Sequence, residues 1–248
     1  MTDYRWNLTA AATGYDQVAS VIHPHYREIQ DRILARLPVA REEAFSLVDA
    51  GGGSGRLLER ILEQYPQSDV INLDQSPAFL GLAERRLTRF GDRARCHLVR
   101  LQDNWDRFLD ERPRYVVSMS AIHHLDRAEK QAFYRRCFVA LESDGMLING
   151  DEVRPESDRD YLDRLQRWAE HMQQVMSAGR VPTTMQPTLN GWIERNVERF
   201  GESKTSGDDC HETVAAQLGS LQSSGFIEVE ALWYQEMWAV FAGRKPAT

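Results

Sequence analysis

A glycine-rich turn between an apolar run and a helical pattern is the feature of this sequence that most constrains its fold. Residues 45–57 read Phe-Ser-Leu-Val-Asp-Ala-Gly-Gly-Gly-Ser-Gly-Arg-Leu. A short apolar run bounded by turn residues is typical of a buried parallel strand. Gly51, Gly53 and Gly55 allow a sharp turn and a close approach of the backbone to a ligand. We therefore predict the first strand, turn and helix of a nucleotide-binding α/β sheet.

A carboxylate follows the second predicted strand at the distance expected for a ribose ligand. Residues 70–74 read Val-Ile-Asn-Leu-Asp. Asp74 lies roughly 20 residues beyond the glycines, where an acidic side chain binds ribose hydroxyls in nucleotide-binding folds. The Gly-x-Gly-x-Gly spacing differs from the Gly-x-Gly-x-x-Gly that seats a pyrophosphate. This difference favours a cofactor that contains an adenosine and no phosphate.

The run Val-Asp-x-Gly-x-Gly-x-Gly, which starts at Val48, resembles the first motif of the class I (Rossmann-like) S-adenosylmethionine (SAM) methyltransferases. The resemblance covers nearly the whole chain outside residues 156–207. It implies an α/β fold with a seven-stranded, mostly parallel sheet of order 3-2-1-4-5-7-6 and helices on both faces. It also implies SAM as the cofactor and S-adenosyl-L-homocysteine as the product.

The resemblance further implies where each part of the cofactor binds. The methionine part lies over the glycine turn, the ribose at Asp74 and the adenine amino group near Asp103, with Gln102 as the alternative. An exposed loop aspartate is the other interpretation of Asp103, because the strand before it is short and polar. The residues predicted to bind the cofactor are Tyr15, Tyr26, Asp49, Gly51, Gly53, Gly55, Asp74, Gln75, Gln102, Asp103, Ser118 and Ser120.

Two adjacent histidines follow the fourth predicted strand. Residues 115–125 read Tyr-Val-Val-Ser-Met-Ser-Ala-Ile-His-His-Leu, and α/β proteins bind ligands at the carboxyl ends of their strands. The pattern resembles the fourth methyltransferase motif, which implies that residues 118–121 lie beside the cofactor and that His123 and His124 lie near the methyl. Because the pKa of histidine is nearest neutrality, each is a candidate general base. The alternative is that the pair only fixes the loop by bonding to backbone.

Two carboxylates, Asp151 and Glu152, end the fifth predicted strand. They are suited to binding a cationic or hydroxylated substrate, or to capping the helix that starts near Ser157. We favour capping for Glu152 and leave Asp151 open between the two roles. The charged residues 202–209 indicate an exposed, mobile loop.

Helical patterns flank the predicted sheet. Two short N-terminal helices resemble lid helices that close over the cofactor, although Tyr15 and Tyr26 equally suit core packing. Aromatic and methionine residues on the insertion favour a core role over a pocket, with a substrate pocket or a dimer surface as alternatives. We predict one domain, 1–248, made of lid helices (1–40), a SAM-binding core (41–155), a helical insertion (156–207), and a closing helix and hairpin (208–248).

Composition excludes several classes of protein. The formal net charge of −7 argues against an extended nucleic-acid surface, since phosphate binding needs clustered Lys and Arg. The apolar runs are too short for a membrane span, and the polar start of the chain lacks a signal core, so we expect a cytoplasmic protein. The three cysteines, Cys96, Cys137 and Cys210, have no metal-ligand spacing, and we predict no metal site.

The sequence thus predicts a SAM-dependent methyltransferase that acts on an oxygen or nitrogen of a small-molecule acceptor. One alternative is an enzyme similar to the carboxy-SAM synthase of tRNA wobble-uridine modification, which His25-Tyr26, the insertion and the C-terminal hairpin resemble. That activity needs an arginine to face the added carboxylate. The other alternative is a catalytically silent SAM-binding partner subunit. The candidate arginines for carboxy-SAM are Arg164, Arg167 and Arg180.

Overall fold

The computed structural model describes residues 5–37 and 40–247, so the first four residues of the predicted lid segment lie outside the described residues. Seven strands form one sheet. They are β1 (Phe45–Ala50), β2 (Ser68–Asp74), β3 (Ala94–Leu98), β4 (Tyr115–Met119), β5 (Met146–Glu152), β6 (Ile227–Gln235) and β7 (Trp238–Arg244). The order is β3-β2-β1-β4-β5-β7-β6, and only the pairings of β7 are antiparallel. The predicted sheet is confirmed.

Eight α-helices within the described residues surround this sheet. A π-helical turn, Glu194–Glu198, directly continues the seventh helix. A short 3-10 turn, Ile122–His124, carries the two histidines. The α-helices are α1 (Thr9–Ile22), α2 (Tyr26–Ala35), α3 (Arg56–Gln64), α4 (Pro77–Leu87), α5 (Arg127–Ala140), α6 (Asp158–Ser177), α7 (Gln186–Ile193) and α8 (Val214–Ser223).

Local sequence explains where several helices begin. The Ser76 side chain accepts a hydrogen bond from the backbone N–H of Phe79, and Pro77 occupies the first turn of α4, as helix N-termini favour. Asp126 forms the predicted capping box at the start of α5. Ser157 caps α6 through the N–H of Asp160. The capping role favoured for Glu152 is therefore wrong, since Ser157 already fills it.

Two hydrophobic layers cover the faces of the sheet. One layer unites α2, α3 and the insertion helix α6 through residues such as Ile33, Leu58 and Trp168. The other includes Phe133 of α5 and Leu221 of α8. No described helix is long and apolar enough to span a membrane.

The first helix, α1, is bound to the core by one carboxylate. Arg56 Nε lies 2.8 Å from Asp16 Oδ1, and Arg86 Nη2 lies 2.9 Å from Asp16 Oδ2. Burial raises the pKa of Asp16, but hydrogen bonds from Arg86, Ser54 and Arg56 outweigh burial and lower it. The ionised carboxylate therefore holds α1 beside the glycine turn.

Candidate functional site

A cavity of about 830 Å³ lies at the carboxyl ends of the parallel strands, where this class of sheet binds ligands. Its wall combines the glycine turn, α1, the two histidines, the insertion helices and residues 205–209. The predicted residues on the wall are Tyr15, Tyr26, Asp49, Gly51, Gly53, Asp74, Gln75, Gln102, Ser120, His123 and His124. Gly55, Asp103 and Ser118 are described by the structure but do not line the cavity.

The glycine turn presents its backbone to the cavity. Gly51 has φ of +74° and Gly53 has φ of +54°. In this left-handed conformation, a residue with a side chain would be strained. A Cβ at Gly52 would lie 2.4 Å from Asn72 Oδ1 and 2.6 Å from Asp49 Oδ2. The turn can therefore pass over these polar atoms only because it lacks side chains.

Asp74 fixes the turn from the neighbouring strand. Its Oδ2 accepts a hydrogen bond of 2.9 Å from the N–H of Gly53, and its Oδ1 accepts one of 2.7 Å from the N–H of Ser76. Burial raises the pKa of Asp74 to about 6, although these backbone hydrogen bonds oppose the shift. One carboxylate thus orients the loop and also faces the cavity.

Asp49 lies beneath the same turn with no hydrogen-bond partner for either carboxylate oxygen among the described residues. Burial, followed by repulsion from Asp74, raises the pKa of Asp49 to about 8. An unpaired buried carboxylate is costly, and a bound group with hydroxyl or ammonium donors would relieve that cost. The carboxylate oxygens of Asp49 and Asp74 accept hydrogen bonds, so they fit the ribose hydroxyls and the amino group of SAM.

The other predicted cofactor residues differ in their surroundings. Asp103 is exposed and does not line the cavity, whereas residues 99–102, which include Gln102, do. Ser118 is buried and donates a hydrogen bond of 2.7 Å to the carbonyl of Ala50, which ties β4 to β1. Ser120 lies on the wall with φ of +51°.

Aromatic side chains at the entrance include one that the sequence did not indicate. Trp6 lines the cavity, with its ring centroid 5.0 Å from that of Tyr15 and 5.7 Å from that of Phe79. Its position upstream of α1 follows no motif or periodicity, so only the tertiary contacts bring it to the site.

His123 lies in a buried cluster at the far end of the cavity. Its Nδ1 is 2.7 Å from Asp151 Oδ1, and its Nε2 is 3.0 Å from Glu152 Oε2. Burial lowers the pKa of His123, but the charges of Glu152 and Asp151 outweigh it and raise the pKa to about 10. In the ligand-free chain His123 is therefore an imidazolium, which must lose a proton before it can act as a base.

His124 is the more accessible member of the pair. Its Nδ1 is 3.2 Å from the carbonyl oxygen of Asp208 and 3.6 Å from Asp209 Oδ1. The contact with backbone matches the loop-fixing interpretation, whereas exposure to the cavity matches the proton-transfer interpretation.

The loop before α8 folds into the site. Asp209 is only 4% exposed and lines the cavity, so the predicted exposure is wrong for this residue, whereas residues 202, 203, 205 and 206 are exposed. The N–H of Gly207 bonds to the carbonyl of His124, and the N–H of Cys210 bonds to that of His123, each at 2.8 Å. These long-range backbone bonds could not be read from the charged composition of the segment.

The helical insertion forms the remaining wall. Trp168, Met172, Leu189 and Trp192 face the cavity, and the ring centroids of Trp168 and Trp192 lie 4.4 Å apart. Trp168 and Met172 also belong to the hydrophobic core, so the stripe expected in the core is both core and pocket.

The arginines considered for a carboxy-SAM lie elsewhere. Arg164 donates a hydrogen bond of 2.6 Å to the Tyr234 hydroxyl, and Arg167 Nη2 is 2.8 Å from Glu236 Oε2. Arg180 is exposed, and none of the three lines the cavity.

Residues 47–145 match the family model described as a methyltransferase domain. The ribosomal RNA small subunit methyltransferase H of Mycolicibacterium gilvum is 38% identical over 90 residues, which are 35% of this chain and 24% of that protein. The malonyl-[acyl-carrier protein] O-methyltransferase of Halorhodospira halophila is 34% identical over 82 residues, 33% of this chain and 26% of that protein. The chain thus spans about a quarter of the length of these relatives.

Solved structures share the fold across most of the chain. An O-methyltransferase family protein from Burkholderia thailandensis superposes with a TM-score of 0.62 and 16% identity, covering 92% of this chain and 58% of that one. Structures of this fold have been solved with SAM or its demethylated product. Residues 47–145 therefore form a methyltransferase domain, and the strand order together with the glycine turn and its two carboxylates gives the chain the fold of the class I SAM-dependent methyltransferases.

Proposed function

We propose that this protein transfers the methyl group of SAM to an oxygen or nitrogen of a small-molecule acceptor. The observation that carries the proposal is the continuity of one cavity, which joins the glycine turn at Asp74 to an aromatic chamber on the insertion. Its volume of about 830 Å³ is within the range that holds a drug-sized ligand and leaves room for an acceptor beside the cofactor.

The roles of the cofactor-binding residues follow from their donors and acceptors. The carboxylate of Asp74 would accept hydrogen bonds from the ribose hydroxyls, and the unpaired oxygens of Asp49 suit the ammonium group. The open backbone at Gly51 and Gly53 lets the methionine part lie close to the chain. Gln102, rather than Asp103, faces the adenine side of the cavity.

The chain has few chemical tasks in this reaction. Bound SAM supplies an activated methyl on a sulfonium, open to in-line displacement. The protein must therefore align the acceptor and exclude water. Trp168 and Trp192 form an apolar wall for a flat acceptor, while His124 is near enough to the cavity to take the acceptor's proton. Histidine suits that task because its pKa lies near neutrality.

A small acceptor is favoured over a nucleic acid, although relatives of both kinds match. The acidic charge of −7 disfavours binding to phosphates. The acceptor end of the cavity is bounded by buried carboxylates, Glu152 and Asp209, beside apolar rings. A polyanion would meet repulsion there, whereas a hydroxylated or amino-bearing ring would find both apolar contact and hydrogen-bond acceptors.

Two measurements test the proposal. Freshly purified protein is denatured, and any released SAM or S-adenosylhomocysteine is identified by mass spectrometry; the protein is then incubated with methyl-labelled SAM and a panel of phenols, amines and carboxylates. We expect SAM binding and label transfer to one acceptor class. Tight SAM binding with no transfer to any acceptor would support the silent partner subunit, and a released carboxy-SAM would support the synthase. Failure to bind SAM would reject all three.

The raised carboxyl pKa values predict that SAM binding weakens in acid. SAM binds the ionised forms of Asp49 and Asp74, whose pKa values in the free chain are about 8 and about 6. Below its pKa each group must first lose a proton, which reduces affinity by up to about tenfold per pH unit. Between pH 7.5 and 5.5, calorimetry should register a rise in Kd of about tenfold or more. An Asp49→Asn variant should flatten this dependence, and a Kd constant over the range would contradict the assignment.

A further inference from the structure

A second set of side chains meets at the acceptor end of the cavity. His123, His124 and Asp209 each offer one ligand atom, and these three atoms lie within 4.8 Å of one another. Asp209 Oδ1 is 3.9 Å from His123 Nε2 and 3.6 Å from His124 Nδ1. On one metal ion, with bonds of about 2.0–2.2 Å, neighbouring ligand atoms are separated by about 3.0–3.5 Å. The two distances from Asp209 Oδ1 thus exceed this range by only a few tenths of an ångström, and the two histidine nitrogens lie within 4.8 Å of each other.

The ligand atoms are oriented from behind, as in metal centres. The Nδ1 of His123 is bonded to Asp151 Oδ1 at 2.7 Å, so its Nε2 faces the cavity. The Nδ2 of Asn196 donates a 2.7 Å hydrogen bond to Asp209 Oδ2, which leaves Oδ1 directed at the histidines. A carboxylate behind a ligating imidazole fixes its tautomer and raises its basicity. Packing of the core alone would not require Asp151 behind His123 or Asn196 behind Asp209.

An unpartnered group also points to a missing ligand. The side chain of His211 is fully buried, and its Nδ1 is held by the Tyr161 hydroxyl at 2.7 Å. Its Nε2 has no hydrogen-bond partner among the described residues and lies 3.8 Å from Glu152 Oε2. That Glu152 oxygen is in turn 3.0 Å from His123 Nε2. Buried polar atoms in native proteins are rarely left unpaired, and this one faces the cluster.

We propose that His123, His124 and Asp209 bind one divalent first-row transition-metal ion, with Glu152 as the adjacent fourth ligand. Two neutral imidazoles and two carboxylates match both the charge of such an ion and its preference for nitrogen and oxygen ligands. Binding replaces the contact between His124 Nδ1 and the carbonyl of Asp208 and releases the proton from His123 Nε2 to solvent. The cavity leaves a coordination position open to a small molecule.

The consequence for chemistry rests on the proposed function. An ion at this position would bind the acceptor oxygen and lower the pKa of its hydroxyl. With the ion bound, the ring of His124 is a metal ligand, and the ion takes over the activation of the acceptor that the proposed function gives to His124 in the metal-free chain. Metal binding itself needs neither SAM nor acceptor. If no metal binds, the proposal of methyl transfer still stands. If no methyl transfer is found, the proposal of a metal site still stands.

The test uses the full chain after removal of metals with a chelator. Zn²⁺ binding is measured by calorimetry, and Co²⁺ is added to record the visible absorption of a coordinated ion. We expect one saturable site, a rise in Tm on binding, and a 10- to 100-fold weaker Kd in Asp209→Asn and His124→Ala. The matched control is His97→Ala, which removes a histidine stacked on Phe108 away from the cavity and should keep wild-type affinity.

Three other outcomes would overturn the proposal. Absence of Zn²⁺ and Co²⁺ binding would mean that the cluster is an ion-pair network held together by the His123 proton. Binding that is equal in wild type and Asp209→Asn would locate the ion elsewhere. Binding of Mg²⁺ or Ca²⁺ alone would reject the transition-metal assignment. Circular dichroism of the variants, with Asp209→Asn as the near-isosteric change, separates loss of a ligand from loss of the fold.

Discussion

We expect Asp74→Ala to weaken SAM binding about 100-fold. Asp74 has two tasks, since it orients the glycine turn through the N–H groups of Gly53 and Ser76 and faces the cavity where ribose hydroxyls would donate to it. Hydrogen bonds to a charged group contribute roughly 1.5–3 kcal/mol each. Loss of about 3 kcal/mol corresponds to about a 100-fold change in Kd, measured by calorimetry at pH 7.5.

The matched control for this change is Asp103→Ala. It removes the same functional group from an exposed position near the adenine end that does not line the cavity, and we expect less than about a threefold change. An equal loss in both variants would contradict the assignment of Asp74 and restore Asp103 as a cofactor ligand. The thermal transition of each variant identifies any effect that arises from unfolding.

The second large effect concerns turnover. We expect His124→Ala to reduce kcat about 100-fold or more while the Kd for SAM holds, because proton transfer by a positioned side chain contributes roughly 10²–10⁴-fold. The imidazole is carried by the turn after β4, whereas Asp49 and Asp74 lie on β1 and β2, so its loss should spare cofactor binding. Steady-state kinetics with an accepted substrate measures both quantities.

An asparagine at the same position separates the two interpretations of His124. His124→Asn keeps a donor for the carbonyl of Asp208, which His124 Nδ1 approaches to 3.2 Å, but it cannot exchange a proton near neutral pH. If His124 only fixes the loop, the asparagine variant should recover most of the activity. If it exchanges the proton, both variants stay slow, and the acid limb of the pH–rate profile disappears. A change confined to KM would refute a role in proton transfer.

The family resemblance carried by the sequence motifs was sufficient to predict the sheet and its strand order, and local patterns were sufficient for the cap at Ser76 and the capping box at Asp126. Most of the residues predicted to bind the cofactor line the cavity, and their contacts with SAM stay a prediction. Gly51, Gly53 and Asp74 were predictable because their tasks are backbone tasks. A left-handed turn demands glycine, and a carboxylate at a strand end binds the adjacent N–H groups. Residue type and spacing along the chain are enough to identify such requirements.

The acceptor half was decided by tertiary structure. Trp6 packs against Tyr15 and Phe79 on the cavity wall. Asp209 and His211 approach His123 and Glu152 only after the insertion and the 205–209 loop fold over the strand ends. Their roles depend on burial and on which partner each finds. The charges of Glu152 and Asp151 make His123 an imidazolium in spite of its burial, whereas the sequence indicated only a free histidine. Interactions between charged side chains and the loss of hydration on burial depend on which residues are close in space. Spacing along the chain does not specify this.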